Sequence, residues 1–266
     1  GAGNNVLLEA ATVNAQNTLA IQAGNNIFLA TAENQQNLQH VESTIKKQTL
    51  SLGTKSLTET THSERITQVG STLRGQDITL VAGQNLTTVA ARIDGQDSVH
   101  LVAGNQVSLL AAANTEQTET TKVYRNTLFG IHNLAGLIDI GLQKTRYDGD
   151  SDTTIRRAAV TELHSGGLVR IESGGDITLQ ATQVRAAGLN VTAGEIDGQR
   201  LGPDARTILQ GVKESAATRQ TESSSSFLWQ SMAGQGDSQE SLRLPDIALG
   251  SPERLQPLGA ASRVTP

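Results

Sequence analysis

The chain has 266 residues, a formal net charge of −5, 2% aromatic residues and no cysteine. The lack of cysteine excludes disulfides and thiolate metal sites. The net negative charge gives no indication of the basic surface that nucleic-acid-binding proteins present. So few aromatic side chains could hardly fill a wide spherical core, whereas a narrow core of Val, Ile, Leu and Ala needs none. No run has the 18 or more apolar residues typical of a membrane-spanning helix. Because the first residues lack a signal peptide's charged start and apolar run, we expect a piece of a longer protein.

Short apolar-x-apolar triplets recur along the chain at a regular spacing. A triplet such as Ile78-Thr79-Leu80 is followed about 8 residues later by a second triplet, which starts at Leu86. A third apolar site often follows about 7 residues later, and the cycle then restarts, which gives about 20–21 residues per coil. This period is typical of a solenoid. The sequence therefore predicts an all-β parallel β-helix in which each coil contributes one short strand to each of three sheets.

We expect the inward residues of these strands to stack in three columns. Within a triplet the first and third residues should point inward and the middle one outward, since strands alternate with period 2. Gly, Asn and Asp between the triplets predict the corners, where stacked Asn side chains would form ladders. The predicted columns are Leu19, Ile78, Val99, Val169 and Leu189 on face one; Val6, Ile27, Leu86, Val107, Ile177 and Ile196 on face two; and Val13, Ile93 and Val184 on face three.

The chain leaves this pattern three times, at about 33–72, 114–162 and 200–241. Each excursion has Ser/Thr-rich stems around an apolar, Gly-containing tip, as in Leu50-Ser51-Leu52-Gly53, and this pattern favours a long β-hairpin. The first two excursions rejoin the pattern through Leu73 and Leu163. We expect all three to leave from the same side and to stack as lateral ribs, one per two coils. The sequence thus predicts one domain over 1–244 and a Pro-containing tail or linker over 245–266.

Three hexapeptides of the chain resemble the repeats of a known family. Gly-Gln-Asp-Ile-Thr-Leu (75–80) followed by Val-Ala-Gly-Gln-Asn-Leu (81–86), with Gly-Gly-Asp-Ile-Thr-Leu (174–179), is similar to the haemagglutinin repeats of filamentous-haemagglutinin-like exoproteins. The segment Glu-Ser-Thr-x-Lys-Lys at 42–47 adds to the likeness. The resemblance implies a right-handed β-helical shaft, secreted to the bacterial surface by an outer-membrane two-partner-secretion transporter. The family includes adhesins and the elongated CdiA-type proteins of contact-dependent growth inhibition.

Catalytic and metal-binding patterns are sparse in the sequence. The five histidines have no metal-ligand spacing, and the Asp residues at the corners, such as Asp77 and Asp176, are too few for calcium-binding coils. Carbohydrate-cleaving β-helices place several Asp with Arg or Lys on one outer face, whereas the predicted outward positions are mostly Thr, Ser, Gln and Asn. We therefore expect no catalytic residue, no metal ligand, no cofactor and no nucleic-acid partner.

The tips of the second and third excursions are the candidate contact sites. Both combine large apolar residues with a predicted turn, and the third holds the single Trp of the chain. Either the tips fold back onto a neighbouring rib, or they form an apolar patch that contacts a partner or a membrane. The candidate contact residues are Leu128, Phe129, Ile131, Leu134, Leu137, Ile138, Phe227, Leu228 and Trp229.

Three functions follow for such a chain. The first is a structural, non-enzymatic shaft segment of a large secreted exoprotein, serving adhesion or contact-dependent growth inhibition. The second is a delivery module whose apolar tips engage the target-cell envelope during toxin transfer, through a receptor that the sequence does not identify. The third is a polysaccharide-acting β-helix enzyme, which would require an acidic cleft. We adopt the first, while the likeness of the ribs to the second haemagglutinin-repeat region of CdiA-type proteins, which is implicated in toxin transfer, keeps the second open.

Overall fold

The computed structural model describes residues 2–48, 53–134, 137–226 and 229–249, and of these it describes the backbone alone for 47–48, 128–134, 137–143, 226 and 229–231. Throughout this part of the chain every regular element is a β-strand, and no helix is long and apolar enough to cross a membrane. The fold is therefore all-β. It consists of one parallel sheet, one mixed sheet and one antiparallel sheet.

In chain order the strands are β1 (Val6–Glu9), β2 (Thr12–Asn14), β3 (Thr18–Ala23), β4 (Ile27–Ala30), β5 (Ala32–Gln48), β6 (Gly53–Val69), β7 (Thr72–Ala82), β8 (Asn85–Val89), β9 (Arg92–Ala103), β10 (Gln106–Leu110), β11 (Ala112–Leu134), β12 (Leu137–Ala159), β13 (Glu162–Ser165), β14 (Leu168–Ser173), β15 (Ile177–Gln180), β16 (Gln183–Ala186), β17 (Gly188–Ala193), β18 (Glu195–Ile196), β19 (Gln199–Arg200), β20 (Thr207–Gln210), β21 (Val212–Ser226), β22 (Trp229–Arg243) and β23 (Asp246–Leu249).

Face two is a six-stranded parallel sheet in the order β1-β4-β8-β10-β15-β20. Its pairing confirms the predicted column: Val6 lies opposite Ile27, Ile27 opposite Leu86, Leu86 opposite Val107, and Val107 opposite Ile177. Each strand pairs with the strand that the chain forms on its next return. We call one pass of the chain through faces one, two and three a rung.

Faces one and three belong to one mixed 11-stranded sheet, because β7 and β9 run through the corner between them. The face-one column is confirmed from Leu19 to Leu189 by successive parallel pairs. Face three is more complete than predicted, since Leu73 and Leu163, where the excursions rejoin, fill the alternate rungs. Its column is Val13, Leu73, Ile93, Leu163, Val184 and Ile247.

The core is a narrow stack of aliphatic side chains along these columns. Ile78, Leu80, Leu101 and Ile171 are fully buried, while Val6 and Leu189 at the two ends are only partly buried. The end residues are more exposed because a neighbouring rung covers them on one side alone. We refer to faces one, two and three with this core as the parallel stack.

Glycine and asparagine columns hold the corner between faces one and two. A Cβ added at Gly24, Gly83, Gly104 or Gly174 would collide with the carbonyl oxygen of the glycine one rung earlier, so only glycine permits this stacking. The predicted Asn ladder is also present. Its Nδ2-to-Oδ1 hydrogen bonds run from Asn26 to Asn5 (3.0 Å), from Asn85 to Asn26 (2.9 Å) and from Asn105 to Asn85 (2.9 Å).

The three excursions are β-hairpins, β5–β6, β11–β12 and β21–β22, and they pair side by side into one six-stranded antiparallel sheet. This arrangement confirms the prediction of one rib per two rungs, and it has a geometric reason. Neighbouring strands are about 4.8 Å apart in parallel and antiparallel sheets alike. A two-stranded hairpin therefore rises by the same distance as two rungs, and successive hairpins meet edge to edge. We call this sheet the hairpin sheet.

The prediction for the sixth rung is wrong in two respects. Ile196 does not join the face-two column; it pairs with Gln199 in a short hairpin around Asp197 and Gly198. Both turn residues have positive φ, 49° and 79°, as an Asp-Gly two-residue hairpin turn requires. Thr207 takes the place opposite Ile177 instead. The third excursion accordingly spans 212–243 rather than 200–241.

The predicted tail also needs a correction at its start. β23 (Asp246–Leu249) pairs in parallel with β16 and places Ile247 opposite Val184. Pro245 precedes the strand, a position where a missing N–H costs no ladder hydrogen bond. Four residues of the predicted tail thus belong to face three, and residues 250–266 lie outside the described part of the chain.

Candidate functional site

All three hairpins leave the parallel stack at the corner between faces two and three. On the rungs that carry no hairpin, the same corner is turned by an alanine with positive φ: Ala10 (44°), Ala90 (47°) and Ala181 (47°). The N–H groups of Ala10 and Ala90 donate to the carbonyl oxygens of Ala30 and Leu110, just before the hairpins begin. The short corner of one rung thus supports the point where the next hairpin leaves.

Buried hydroxyl groups satisfy backbone groups at this corner. Ser71 is fully buried, and its Oγ donates to the carbonyl oxygen of Leu8 at 3.0 Å. The hydroxyl of Thr161 donates to the carbonyl oxygen of Leu110 at 2.8 Å and lies 3.2 Å from the hydroxyl of the buried Thr88. An unpaired carbonyl at this corner would cost free energy, because water is excluded. These hydroxyls therefore anchor the bases of the first and second hairpins.

The hairpin sheet itself is a single layer. None of the buried apolar residues of the described chain lies in it, and apolar side chains such as Leu38 (70% exposed) and Ile45 (67% exposed) face solvent. Hydroxyl pairs link neighbouring strands, for example Ser63 with Thr118 (3.4 Å) and Thr153 with Thr218 (3.3 Å). The sheet is thus held by backbone ladders, by such side-chain pairs and by its anchored base.

The middle hairpin extends further than its neighbours. Its pairing with the first hairpin ends at Thr127 opposite Thr54, and its pairing with the third ends at Arg146 opposite Ser225. Beyond these points, within the described part of the chain, β11 and β12 pair with each other alone, up to Leu134 opposite Leu137. The apolar segment of the second excursion therefore forms a separate projection at the outer end of the hairpin sheet.

The predicted contact residues fall into two groups. In the projection, Phe129 lies opposite Leu142, Ile131 opposite Ile140, and Leu134 opposite Leu137. Leu128 and Ile138 lie in the same two strands. Trp229 begins β22 opposite Ser226. It therefore lies nearer the base of the hairpin sheet than the apolar segment of the second hairpin does. Phe227 and Leu228 lie outside the described residues.

One face of the hairpin sheet carries both tyrosines of the chain. Tyr124 and Tyr147 lie directly opposite each other on β11 and β12. Two residues towards the base, the same face has the row Glu59, Lys122, Gly149 and Glu222 on four consecutive strands. The Lys122 ammonium lies 3.2 Å from the Glu59 carboxylate. We call this the tyrosine face, and its named members are Glu59, Lys122, Tyr124, Tyr147, Gly149 and Glu222.

A hydrogen bond joins the two sides of this face. The Tyr147 phenol donates to the Glu222 carboxylate, and this bond raises the pKa of Tyr147 above its ordinary value, with smaller contributions from burial and from the charge of Glu222. The ring leans over the neighbouring glycine, since a Cβ added at Gly149 would lie 3.3 Å from Cε1 of Tyr147. An open cleft of about 360 Å³ lies beside the ring.

The outer surface of face three is more charged than the sequence predicted. Asp94 accepts from Nε of Arg92 at 2.7 Å and also lies 3.4 Å from Nδ1 of His164. Arg92 reaches Glu162 at 3.1 Å, and its bond to Asp94 raises the pKa of Arg92. These residues come from rungs about 70 positions apart in the sequence, so spacing along the chain does not reveal them. The prediction of mostly uncharged outward residues is wrong on this face.

A second charged cluster lies on face one. Glu172 is 2% exposed and is bonded by Nη2 of Arg170 (2.5 Å) and Nε2 of His100 (3.1 Å). Arg170 also approaches Asp197 in the short hairpin of β18 and β19. The dipeptide Asp197-Gly198 is a hairpin signal and would have predicted this insertion. Within the described residues no group of His, Cys, Asp and Glu is arranged to hold a metal ion.

A family model supports the likeness seen in the repeats. The model described as "Hemagglutinin repeat" matches residues 50–197, more than half of the chain. This range contains the second hairpin in full and the return strand of the first. No solved structure matches the chain.

Several curated proteins also match. A tRNA nuclease CdiA of Escherichia coli (strain STEC_O31) is 28% identical over 66% of this chain, and a 16S rRNA endonuclease CdiA of Enterobacter cloacae subsp. cloacae is 30% identical over 59%. A tRNA nuclease CdiA of Yersinia mollaretii is 29% identical over 70%. The matched regions are 5%, 5% and 6% of these relatives, so this chain spans a small part of their length.

Proposed function

Because the chain belongs to the hemagglutinin-repeat family, we propose that it is a structural, non-enzymatic shaft segment of a large secreted bacterial exoprotein. The parent protein would reach the cell surface through an outer-membrane two-partner-secretion transporter and serve in contact-dependent growth inhibition or adhesion. The nuclease names of its relatives would then describe other parts of those proteins. The observation that carries the proposal is the continuous stacking of rungs in register, which builds length along one axis.

For this role the three faces would close on one another as a right-handed parallel β-helix. The three aligned columns support closure, because their inward residues form one hydrophobic core. Small-angle X-ray scattering tests the architecture. A closed stack with a lateral sheet predicts an elongated particle of constant cross-section, whereas a compact globular scattering curve would contradict the proposal.

The shaft role can be tested by removing whole rungs. Deleting residues 11–90 joins Ala10 to Ala91, and the register is kept because Ala10 and Ala90 turn the same corner with the same positive φ. Made in the parent protein, this deletion removes one hairpin and shortens the stack by two rungs. A shaft segment predicts retained secretion and surface display, with reduced reach measured by electron microscopy. Loss of secretion or an unchanged length would contradict it.

A second function is favoured by the projecting middle hairpin. Its outer part pairs with neither neighbouring hairpin and is rich in Leu, Ile and Phe. Such an apolar projection fits contact with the target-cell envelope during toxin transfer, in which Leu128, Phe129, Ile131, Leu134, Leu137 and Ile138, with Phe227, Leu228 and Trp229 of the third tip, would contact lipid.

A deletion of residues 112–160 separates this role from the shaft role. It joins Ala111 to Thr161, which recreates the Ala-Thr corner found at Ala181 and Thr182 and removes only the middle hairpin. Delivery through the tips predicts that the intact chain binds outer-membrane vesicles, with a blue shift of Trp229 fluorescence, and that the deletion abolishes binding and toxin transfer. If transfer persists, the shaft role alone remains.

A further inference from the structure

The tyrosine face has the features of a ligand site that neither the shaft role nor the tips require. We propose that its cleft binds a neutral oligosaccharide, with sugar rings stacked on Tyr124 and Tyr147 and hydroxyl groups bonded by the polar row beside them. This inference is independent of closure of the parallel stack and of any function of the tips.

Tyr147 lines the cleft, and the second tyrosine of the chain, Tyr124, lies directly opposite it on the neighbouring strand. Both tyrosines are half-exposed, on a sheet that is otherwise dominated by Thr, Ser, Gln and charged residues. Aromatic rings have electron-rich faces, and two of them on neighbouring strands of one sheet face would form the platform of this site. The apolar C–H face of a sugar ring is complementary to such a surface. Among the side chains that the structure describes, no buried apolar residue lies in the hairpin sheet to explain the presence of the tyrosines.

The floor of the cleft is open because of one glycine. Gly149 lies on the same face as Tyr147 and is flanked in its row by Lys122 and Glu222. Any side chain at this position would fill the space beside the ring, since even a Cβ would lie 3.3 Å from Cε1 of Tyr147. Glycine weakens a strand interior and often marks a place where another molecule approaches closely. The cleft of about 360 Å³ falls within the usual range for small-ligand sites.

The polar groups favour a ligand rich in hydroxyl groups and without charge. Glu59 and Glu222 supply acceptors, and Thr120, Lys122 and Gln220 supply donors, so a hydroxyl can find both kinds of partner. Among the residues that line the cleft, the one cation is Lys122, and Glu59 pairs with it at 3.2 Å. An anionic glycan would meet the carboxylates of Glu59 and Glu222, in a cleft that Asp150 also lines, and no free positive charge among the lining residues. A neutral sugar is not repelled by these carboxylates and needs no cation to bind.

Binding can be tested with the whole chain and three soluble probes: maltotriose, cellotriose and the trisaccharide of N-acetylglucosamine. Saturation-transfer NMR and isothermal titration calorimetry measure the interaction. We expect saturable binding of at least one of them and no competition by a heparin fragment. If none of the probes binds, or if a cationic peptide such as trilysine binds in their place, the proposal is overturned.

Two substitutions locate the site. Gly149→Thr introduces a residue with high β-propensity that should keep the sheet intact while filling the floor, and it should lower sugar affinity about tenfold or more; Tyr124→Ala removes half of the platform and should have a similar effect. The matched control is Gly234→Thr, the same change on the opposite face, where an added Cβ meets no atom closer than 3.7 Å. Equal binding by Gly149→Thr and Gly234→Thr would overturn the proposal even if Tyr124→Ala fails to fold.

Discussion

The parallel stack and the hairpin sheet are both built from β-strands, yet different forces hold them. In the stack, residues such as Leu80 and Ile171 are fully buried and fix the register through the hydrophobic core. The hairpin sheet has longer strands and no buried apolar residue among those described. A two-sided polar sheet specifies its own register weakly. Its register is therefore set at the base, where each hairpin leaves an ordered corner of the stack.

The largest expected difference concerns the core. Leu80→Ala, at a fully buried site of the stack, should reduce the free energy of unfolding by about 2–5 kcal/mol because it leaves a cavity. The identical change at Leu38, which is 70% exposed in the hairpin sheet, should change it by no more than about 0.5 kcal/mol. Urea unfolding followed by circular dichroism measures both. Similar losses at the two sites would mean that the hairpin sheet has a core of its own.

Glycines should also behave differently in the two regions. Gly83→Ala places a methyl group against the carbonyl oxygen of Gly24 and should destabilise the stack by about 1–3 kcal/mol. Gly234→Ala places a methyl group no closer than 3.7 Å to any atom in the hairpin sheet and should raise stability by up to about 1 kcal/mol, because the unfolded chain loses entropy. Thermal unfolding of both variants provides the comparison. A stabilised Gly83→Ala would contradict the close approach of successive rungs.

The contribution of a hydroxyl group to stability should depend on whether it lies at the base of a hairpin or in the middle of the hairpin sheet. Ser71→Ala at the base of the first hairpin leaves the Leu8 carbonyl without its 3.0 Å donor in a buried corner and should cost about 1–3 kcal/mol. Ser63→Ala, in the middle of the hairpin sheet, should cost less than about 0.5 kcal/mol because water replaces its partner Thr118. Hydrogen exchange should show faster exchange of the whole first hairpin only in Ser71→Ala. Unchanged exchange there would exclude Ser71 as an anchor.

The corner alanines allow a smaller test. Ala90 has φ of 47°, a conformation that costs a side-chain-bearing residue about 1–2 kcal/mol. Ala90→Gly removes this strain but adds entropy to the unfolded chain, so the net gain should be about 0.5–1 kcal/mol. Ala82→Gly, at a buried site without positive φ, should lose about the same amount. Differential scanning calorimetry distinguishes the two signs, and a destabilised Ala90→Gly would refute the strained corner.

The smallest expected effect is on the pH at which Tyr147 ionises. The bond to Glu222 raises the pKa of Tyr147, so Tyr147 should ionise above the ordinary tyrosine pKa in an ultraviolet absorbance titration of folded Tyr124→Phe, in which it is the remaining tyrosine. Because the folded state favours the protonated phenol, its stabilising contribution is complete below the ordinary tyrosine pKa and is lost as the pH rises through the raised value. Adding Glu222→Gln to the same variant should lower the pH at which Tyr147 ionises. An unchanged ionisation of Tyr147 after this substitution would disprove the bond.

The amino-acid sequence by itself determined the period of the repeat, the whole face-one column, the face-two column from Val6 to Ile177 and the first two places where the chain leaves the stack. Those features are local: apolar spacing sets which residues face inward, and Gly, Asn and Asp mark the corners. The same reasoning failed at Ile196 and Thr207, where an apolar residue fitted the spacing but an Asp-Gly turn took it out of the stack.

Tertiary structure alone decided which side chains of distant rungs become neighbours. Asp94 and His164, or Glu172 and His100, become neighbours only because rungs stack, and their separation in the chain depends on the length of the hairpin between them. Lys122 likewise meets Glu59, and Tyr147 meets Glu222, only through pairing between different hairpins. Strand spacing made that pairing continuous, since a hairpin and two rungs rise by the same height.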